Sequence, residues 1–435
     1  MKVRRPSFKN SIDTYNKIGL WLIIFTLNFG DSIMLLGMSL SRIVTIVVMI
    51  GVVLGIIRDF GSDRIHRRKY AYYFLVFWLV HAIIQRIWVA DGTIWMSQFF
   101  STCINILIGL AVLSVTNDRY SLRFILSAVH ISLLLQIAIG FIEIKTHRQF
   151  VEMTTKVETT WIHSFFGNPN DYASWIYMCF VCTIIYISLK EKRWWTNIYI
   201  VFLTAASFLI QWHTESRSGI GCMLIFLILY LVMRVWLMLT KKDRRMMLIG
   251  KMAVVICCCV GLFIVISLLV SNDLVGWTLS RSGVMYNSDL SRINLMRKSI
   301  SVFLDYFCLG AGAGQSAYII GFPLHNFFLE ILSDFGIVVF CMMLKLLLDS
   351  WNMTFNRMNT DHERSMLLAF FPSFILMSIG SSSLVRLRMV WVMIICIYIW
   401  SNRLYKDNMV SENENTNDVR LLSVRYGVER RRFYT

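Results

Sequence analysis

A histidine and an asparagine, His325 and Asn326, stand at the entrance to the apolar run inside GFPLHNFFLEILSDFG, residues 321–336. An imidazole, with an unperturbed pKa of about 6.5, can accept or orient a hydroxyl proton at neutral pH, so His325 is the candidate catalytic residue. At about 100° per residue, Asn326, Glu330, Ser333 and Asp334 share one helix face, while Phe327, Phe328, Ile331, Leu332 and Phe335 cover the rest. A carboxylate at membrane depth costs roughly 2.5–3.5 kcal/mol, and such a stripe therefore faces a protein interior or a water-filled cavity. Glu330 is placed to hold the imidazole or to contact a polar ligand.

Three further clusters carry polar chemistry. In QWHTESRSG, 211–219, Glu215 and Arg217 sit at a helix end, and a guanidinium can bind a diphosphate bidentately through its fixed fork of donors. A local ion pair or a headgroup anchor explains the same spacing. In FFGNPNDYASW, 165–175, Asn168, Pro169, Asn170 and Asp171 supply a turn and a helix cap, and Asn170 is also a candidate for binding sugar hydroxyls or phosphate. The third cluster opposes Arg281, Arg292, Arg297 and Lys298 to Asp273, Asp289 and Asp305. Within it, 291–304 has apolar residues near helical spacing, which predicts an amphipathic helix lying over the membrane face. The glycines of LGAGAGQS, 309–316, permit positive φ and close backbone approach. That stretch lacks the Gly-Lys-Ser/Thr ending of a phosphate loop, so a tight hinge before His325 is expected. No HExxH, no paired histidines at ligand spacing and no external DxD occur, so the motifs indicate neither a metal nor another cofactor.

The elements that must position these groups are membrane helices. The 435 residues are 57% hydrophobic and 16% charged, with a mean hydropathy of +0.60, which excludes an ordinary soluble globule. Apolar runs predict an all-α polytopic membrane protein of about twelve spans. They fall at 17–36, 40–58, 70–89, 97–115, 124–143, 170–189, 196–211, 218–239, 248–270, 326–348, 365–385 and 389–402. The net charge of +17 resides in short clusters between these runs, as in RDFGSDRIHRRK (58–69), KEKR (190–193) and TKKDRR (240–245). They act as topology signals and anionic-lipid contacts rather than as a nucleic-acid surface. Both termini are then cytoplasmic. One membrane domain, 1–402, contains a large extracytoplasmic loop at 271–325, before the tenth helix, and 403–435 forms a basic cytoplasmic tail. Nine of the ten cysteines lie in or beside apolar runs and serve as small apolar fillers.

In order and topology, FFGNPNDYA, ESRSG, SRINLM followed by LGAGAG, and HNFFLEILSDFG resemble the O-antigen ligase and polymerase family, the Wzy/WaaL-type bacterial membrane glycosyltransferases. The architecture matches along the whole chain, and the motifs over 165–175, 211–219 and 291–336. The resemblance implies metal-independent transfer of an undecaprenyl-diphosphate-linked glycan to an acceptor hydroxyl, in the bacterial cytoplasmic (inner) membrane. His325 would be the essential loop histidine, and Arg217 and Arg292 would hold the diphosphate, with Arg281 a further candidate. The implied partners are the lipid-linked oligosaccharide donor, a glycan acceptor and the bilayer, with a flippase and a chain-length regulator alongside. Polymerisation of repeat units into capsular polysaccharide, exopolysaccharide or O-antigen is the preferred expectation. Ligation of a finished glycan is the alternative within the family, and a lipid-linked glycan flippase is the alternative from another class.

Overall fold

The computed structural model describes residues 8–29, 33–35, 38–59, 68–116, 119–151, 162–166, 168–189, 194–214, 216–240, 282–357, 361–380, 385 and 387–402. Its helices are α1 (Phe8–Thr26), α2 (Leu40–Asp59), α3 (Lys69–Ile84), α4 (Gly92–Val115), α5 (Arg119–Thr146), α6 (Pro169–Ser188) and α7 (Trp194–His213). They continue with α8 (Arg217–Thr240), α9 (Ser282–Asp305), α10 (Gln315–Ile320), α11 (Phe327–Arg357), α12 (Asp361–Gly380) and α13 (Arg388–Asn402). Among the described residues, α2, α3 with the turn after it, α4, α5, α6, α7 and α11 are long and apolar enough to cross a membrane, seven in all. Two shorter apolar helices lie within α8 and α13. Ten of the expected spans fall on helices, 17–36 does so only as far as Thr26, and 248–270 lies outside the described residues together with the tail 403–435.

The first helix departs from the hydropathy reading. It begins at Phe8 and ends at Thr26, because its opening turns are polar and carry no apolar signal. A turn at Leu27–Phe29 follows, and Met34–Leu35, expected inside the first span, pairs as a strand with Met38–Ser39 in a two-strand hairpin.

Caps set the ends that matter. Asp91 accepts from the Thr93 and Ile94 amides to start α4, and Asn168, with Pro169 in the first turn, accepts from Asn170 to start α6. At the opposite end of α4, Arg68 donates to the Leu113 and Thr116 carbonyls, which have no helical partner. Helix ends are also tied to one another across the bundle. The links include Arg388 donating to Ser41 Oγ, Asp91 bonded to Gln315, and Gly221 of α8 facing Leu376 of α12.

Rings from α3, α11, α12 and α13 form one aromatic cluster. Trp78 lies 5.2 Å from Phe335 and 4.6 Å from Trp391, and Phe327 lies 5.8 Å from both Phe374 and Trp391. All five side chains are fully buried or nearly so, so the cluster fixes where α11 enters the bundle.

Helix α11 is broken within its apolar run. Gly336 adopts φ 78°, ψ 179°, a conformation closed to side-chain-bearing residues. The Ile337 amide consequently leaves its helical partner and donates to the Cys308 carbonyl, at 3.0 Å. The Ser333 and Asp334 carbonyls instead accept from Ala311 and Gly312, at 2.8 and 2.9 Å. Residues 309–316 are thus not a hinge. They are clamped to the helix break, and a Cβ at Gly310 would come within 2.5 Å of the Gly336 nitrogen. Helix α9 extends over Ser282–Asp305, packs against α10 and α11, and turns at Tyr306–Leu309 beside this break.

Candidate functional site

His325 is the residue before the cap of α11. The Asn326 side-chain oxygen accepts from the Leu329 amide at 3.0 Å, and its carbonyl accepts from Glu330 at 2.9 Å. Asn326 is buried in this role, with Phe327 seated in the aromatic cluster below. To reach the cap, His325 takes φ 53°, a left-handed conformation rare outside glycine and costing about 1–3 kcal/mol. Its side chain is half-buried. The chain therefore holds an imidazole, under strain, at the mouth of a broken helix.

Asp334 supplies the brace for the approach to His325. Its two carboxylate oxygens accept from the Gly314 and Ser316 amides at 2.8 and 2.9 Å, capping α10, whose end at Gly321 lies four residues before His325. Gln315, next to these amides, exchanges two hydrogen bonds with the Asp91 backbone, both 2.9 Å. The loop is therefore tied to α4 and α11 at once. Gln85 adds a bond of 2.7 Å to the Asp334 carbonyl, and Trp88 one of 2.9 Å to that of Gly310.

Glu330 is 5% exposed and lines a cavity of about 10 Å³ between α4 and α11. Gln98, Ser101, Thr102, Asn105, Asp334 and Val385 also line it. Asn105 donates to the Val385 carbonyl, and among the described residues its buried Oδ1 has no hydrogen-bond partner. The space admits about one water molecule and no sugar ring. The polar stripe predicted on α11 does face the interior, and its members split into two jobs: Asn326 and Asp334 cap helices, and Glu330 faces α4.

The arginine cluster is described in part. Arg217 is the first residue of α8 and Arg292 lies in α9, but their side chains, and all of Glu215 and Arg281, lie outside the described residues. Asn170 occupies the first turn of α6, half-buried, with its amide on the Asn168 side chain.

A second polar knot lies in the α5–α6 connection and was not singled out by motif. Glu143, buried near the end of α5, accepts from the His163 and Ser164 amides at 3.1 and 2.8 Å. Ser164, at φ 53°, donates to Gln136, which in turn donates to the Asn28 carbonyl of the α1 end. His163 is fully buried, its Nδ1 bonded to the Phe166 carbonyl and its Nε2 without a partner among the described residues. The available signals were a glutamate ending an apolar run, FIEIK, and the His-Ser pair preceding FFGNPN.

Membrane-length helices with buried polar knots at one end make this an all-α, multi-pass membrane protein. It is similar to the teichuronic acid biosynthesis protein TuaE of Bacillus subtilis (strain 168), 21% identical over 286 residues, or 61% of this chain and 57% of that protein. The chain thus matches less than two thirds of the length of this relative. No family model matches the chain.

Proposed function

We propose that the protein acts in cell-surface polysaccharide biosynthesis, as a membrane glycosyltransferase that polymerises undecaprenyl-diphosphate-linked repeat units. The similarity to a teichuronic acid biosynthesis protein supports the pathway class. The observation that carries the catalytic reading is His325, kept half-exposed at positive φ one residue before a buried cap at the mouth of α11.

In the proposed step, an acceptor sugar hydroxyl attacks the anomeric carbon of the lipid-linked glycan. His325 takes the hydroxyl proton as the new carbon–oxygen bond forms. The bond from the anomeric carbon to the diphosphate oxygen breaks, and the lipid diphosphate leaves with its charge. Arg217 and Arg292, with Arg281 as a further candidate, are assigned to that charge, since fixed guanidinium groups stabilise it most as it develops. Asn170 is assigned to sugar hydroxyls or phosphate, and Glu215 to hydroxyls of the glycan. Glu330 supports the α4–α11 contact below His325 rather than touching the sugar.

Purified protein in liposomes with a lipid-linked repeat unit should lengthen the glycan without an ion gradient. His325→Ala should abolish lengthening at unchanged membrane insertion, and full activity in that variant would remove the histidine from the mechanism. Cells lacking the protein should accumulate single-repeat lipid intermediates; accumulation of long lipid-linked chains would mark a ligase instead.

A further inference from the structure

The turn between α9 and α10 lies deep along two membrane-length helices. The Cys308 carbonyl meets Ile337, whose amide lies past the helix break, nine helical residues beyond Phe327. At 1.5 Å per residue the turn is roughly 13 Å below the start of α11. On α3 the same turn meets His81, which donates from Nε2 to the Leu309 carbonyl at 3.0 Å and lies six residues, roughly 9 Å, before the end of that span at Ile87. Two independent helices give a similar depth. The span within α11 covers Phe327–Met353, roughly 40 Å of helix against a hydrocarbon core of roughly 30 Å, so the turn falls inside the core.

The hydrogen bonding of the turn fits that environment. The amides of Tyr306, Phe307, Cys308, Leu309, Ala311 and Gly312 all donate to backbone carbonyls. The Leu309 and Gly310 carbonyls accept from side chains of α3 and the turn after it: His81 on Leu309, and Trp88 and Gln85 on Gly310. A loop in water needs no such partners, whereas non-helical backbone at membrane depth persists only where protein supplies them. Apart from Asp305, whose exposed carboxylate accepts from Ser301 Oγ at 3.4 Å, the exposed side chains of the turn are apolar. Phe307 is 86% exposed, and Leu304 and Leu309 are exposed beside it, next to the exposed Ile84 of α3 and Ile337 and Val338 of α11. This surface is continuous with the outer faces of two spans.

We propose that residues 304–312 form a re-entrant turn whose apolar tip, Phe307, is embedded among the acyl chains of the bilayer leaflet at the His325 end. The partner is lipid hydrocarbon, and the assignment does not depend on the glycosyltransferase reading. The full-length protein carrying the photoreactive analogue p-benzoylphenylalanine at Phe307 is reconstituted into phosphatidylethanolamine–phosphatidylglycerol vesicles and irradiated. The same substitution at Ile198, an exposed residue of the α7 span, sets the scale. Phe307 should give phospholipid adducts within about threefold of the Ile198 yield. Absence of lipid adducts at Phe307 while Ile198 reacts, or cross-linking to a second polypeptide in place of lipid, overturns the proposal. Leu304, one turn earlier and 59% exposed, should react in the same way and serves if the Phe307 variant does not accumulate.

Discussion

Two connections in this molecule are held by the same device, a buried carboxylate near a helix end that accepts two successive or near-successive amides of a returning chain. Asp334 takes Gly314 and Ser316 with separate oxygens, while Glu143 takes His163 and Ser164 with one. The surroundings differ. Around Asp334 the helix itself opens at Gly336 and exchanges backbone bonds with residues 308–312. Around Glu143 the helix α5 stays intact, and side chains, Gln136 and Ser164, complete the knot. Backbone pairing fixes position with no rotamer freedom to lose, whereas a knot of side chains can rearrange. The chain thus spends its most rigid join on the loop that delivers His325.

The comparison can be broken most severely at the join itself. Gly336→Ala would force a side chain into a glycine conformation with its Cβ 2.4 Å from the Leu309 carbonyl oxygen. A loss of about 4 kcal/mol is expected, read as a collapse of monodisperse protein after heating in detergent. Asp334→Ala, which strips two buried amides of their acceptor, should cost about 2–4 kcal/mol in the same assay. Glu143→Gln keeps one acceptor oxygen and should cost about 1–2 kcal/mol; a larger loss than that of Asp334→Ala would reverse the ranking of the two knots. At the small end stands His325→Gly, which relieves the positive-φ strain and should be neutral or stabilising by about 1 kcal/mol, yet abolish glycan lengthening. That pairing separates chemistry from folding in one variant.

Most helices were legible because membrane spans announce themselves by uninterrupted apolar length, and α2, expected at 40–58, occurs at Leu40–Asp59. The start of α1 was not, since its first turns, FKNSID, are polar and follow no hydropathy rule. The break in α11 was hidden for the opposite reason: the run continues through DFGIVVF, and one glycine in an apolar run costs too little to signal a change of backbone. Its cause lies in residues 308–312, more than twenty positions upstream. In the candidate site, His325 and Asn326 were legible as a polar pair at a helix mouth. The glycines of 309–316 suggested pliancy, but the structure uses them for contact, a distinction that requires knowing what the backbone approaches. Asp334 was legible as a buried acid but not as a cap, because its acceptor geometry exists only once α10 has formed.

The interruption at Gly336 also divides α11 into cooperative units of unequal allegiance. Residues 327–335 lose their helical continuity with the stretch beyond and share bonds with 308–316 instead, so amide exchange in this short piece should follow the turn it grips rather than the remainder of its own helix. The short outer piece and the turn it grips then form one exchange unit, and the long inner rod of α11 forms another.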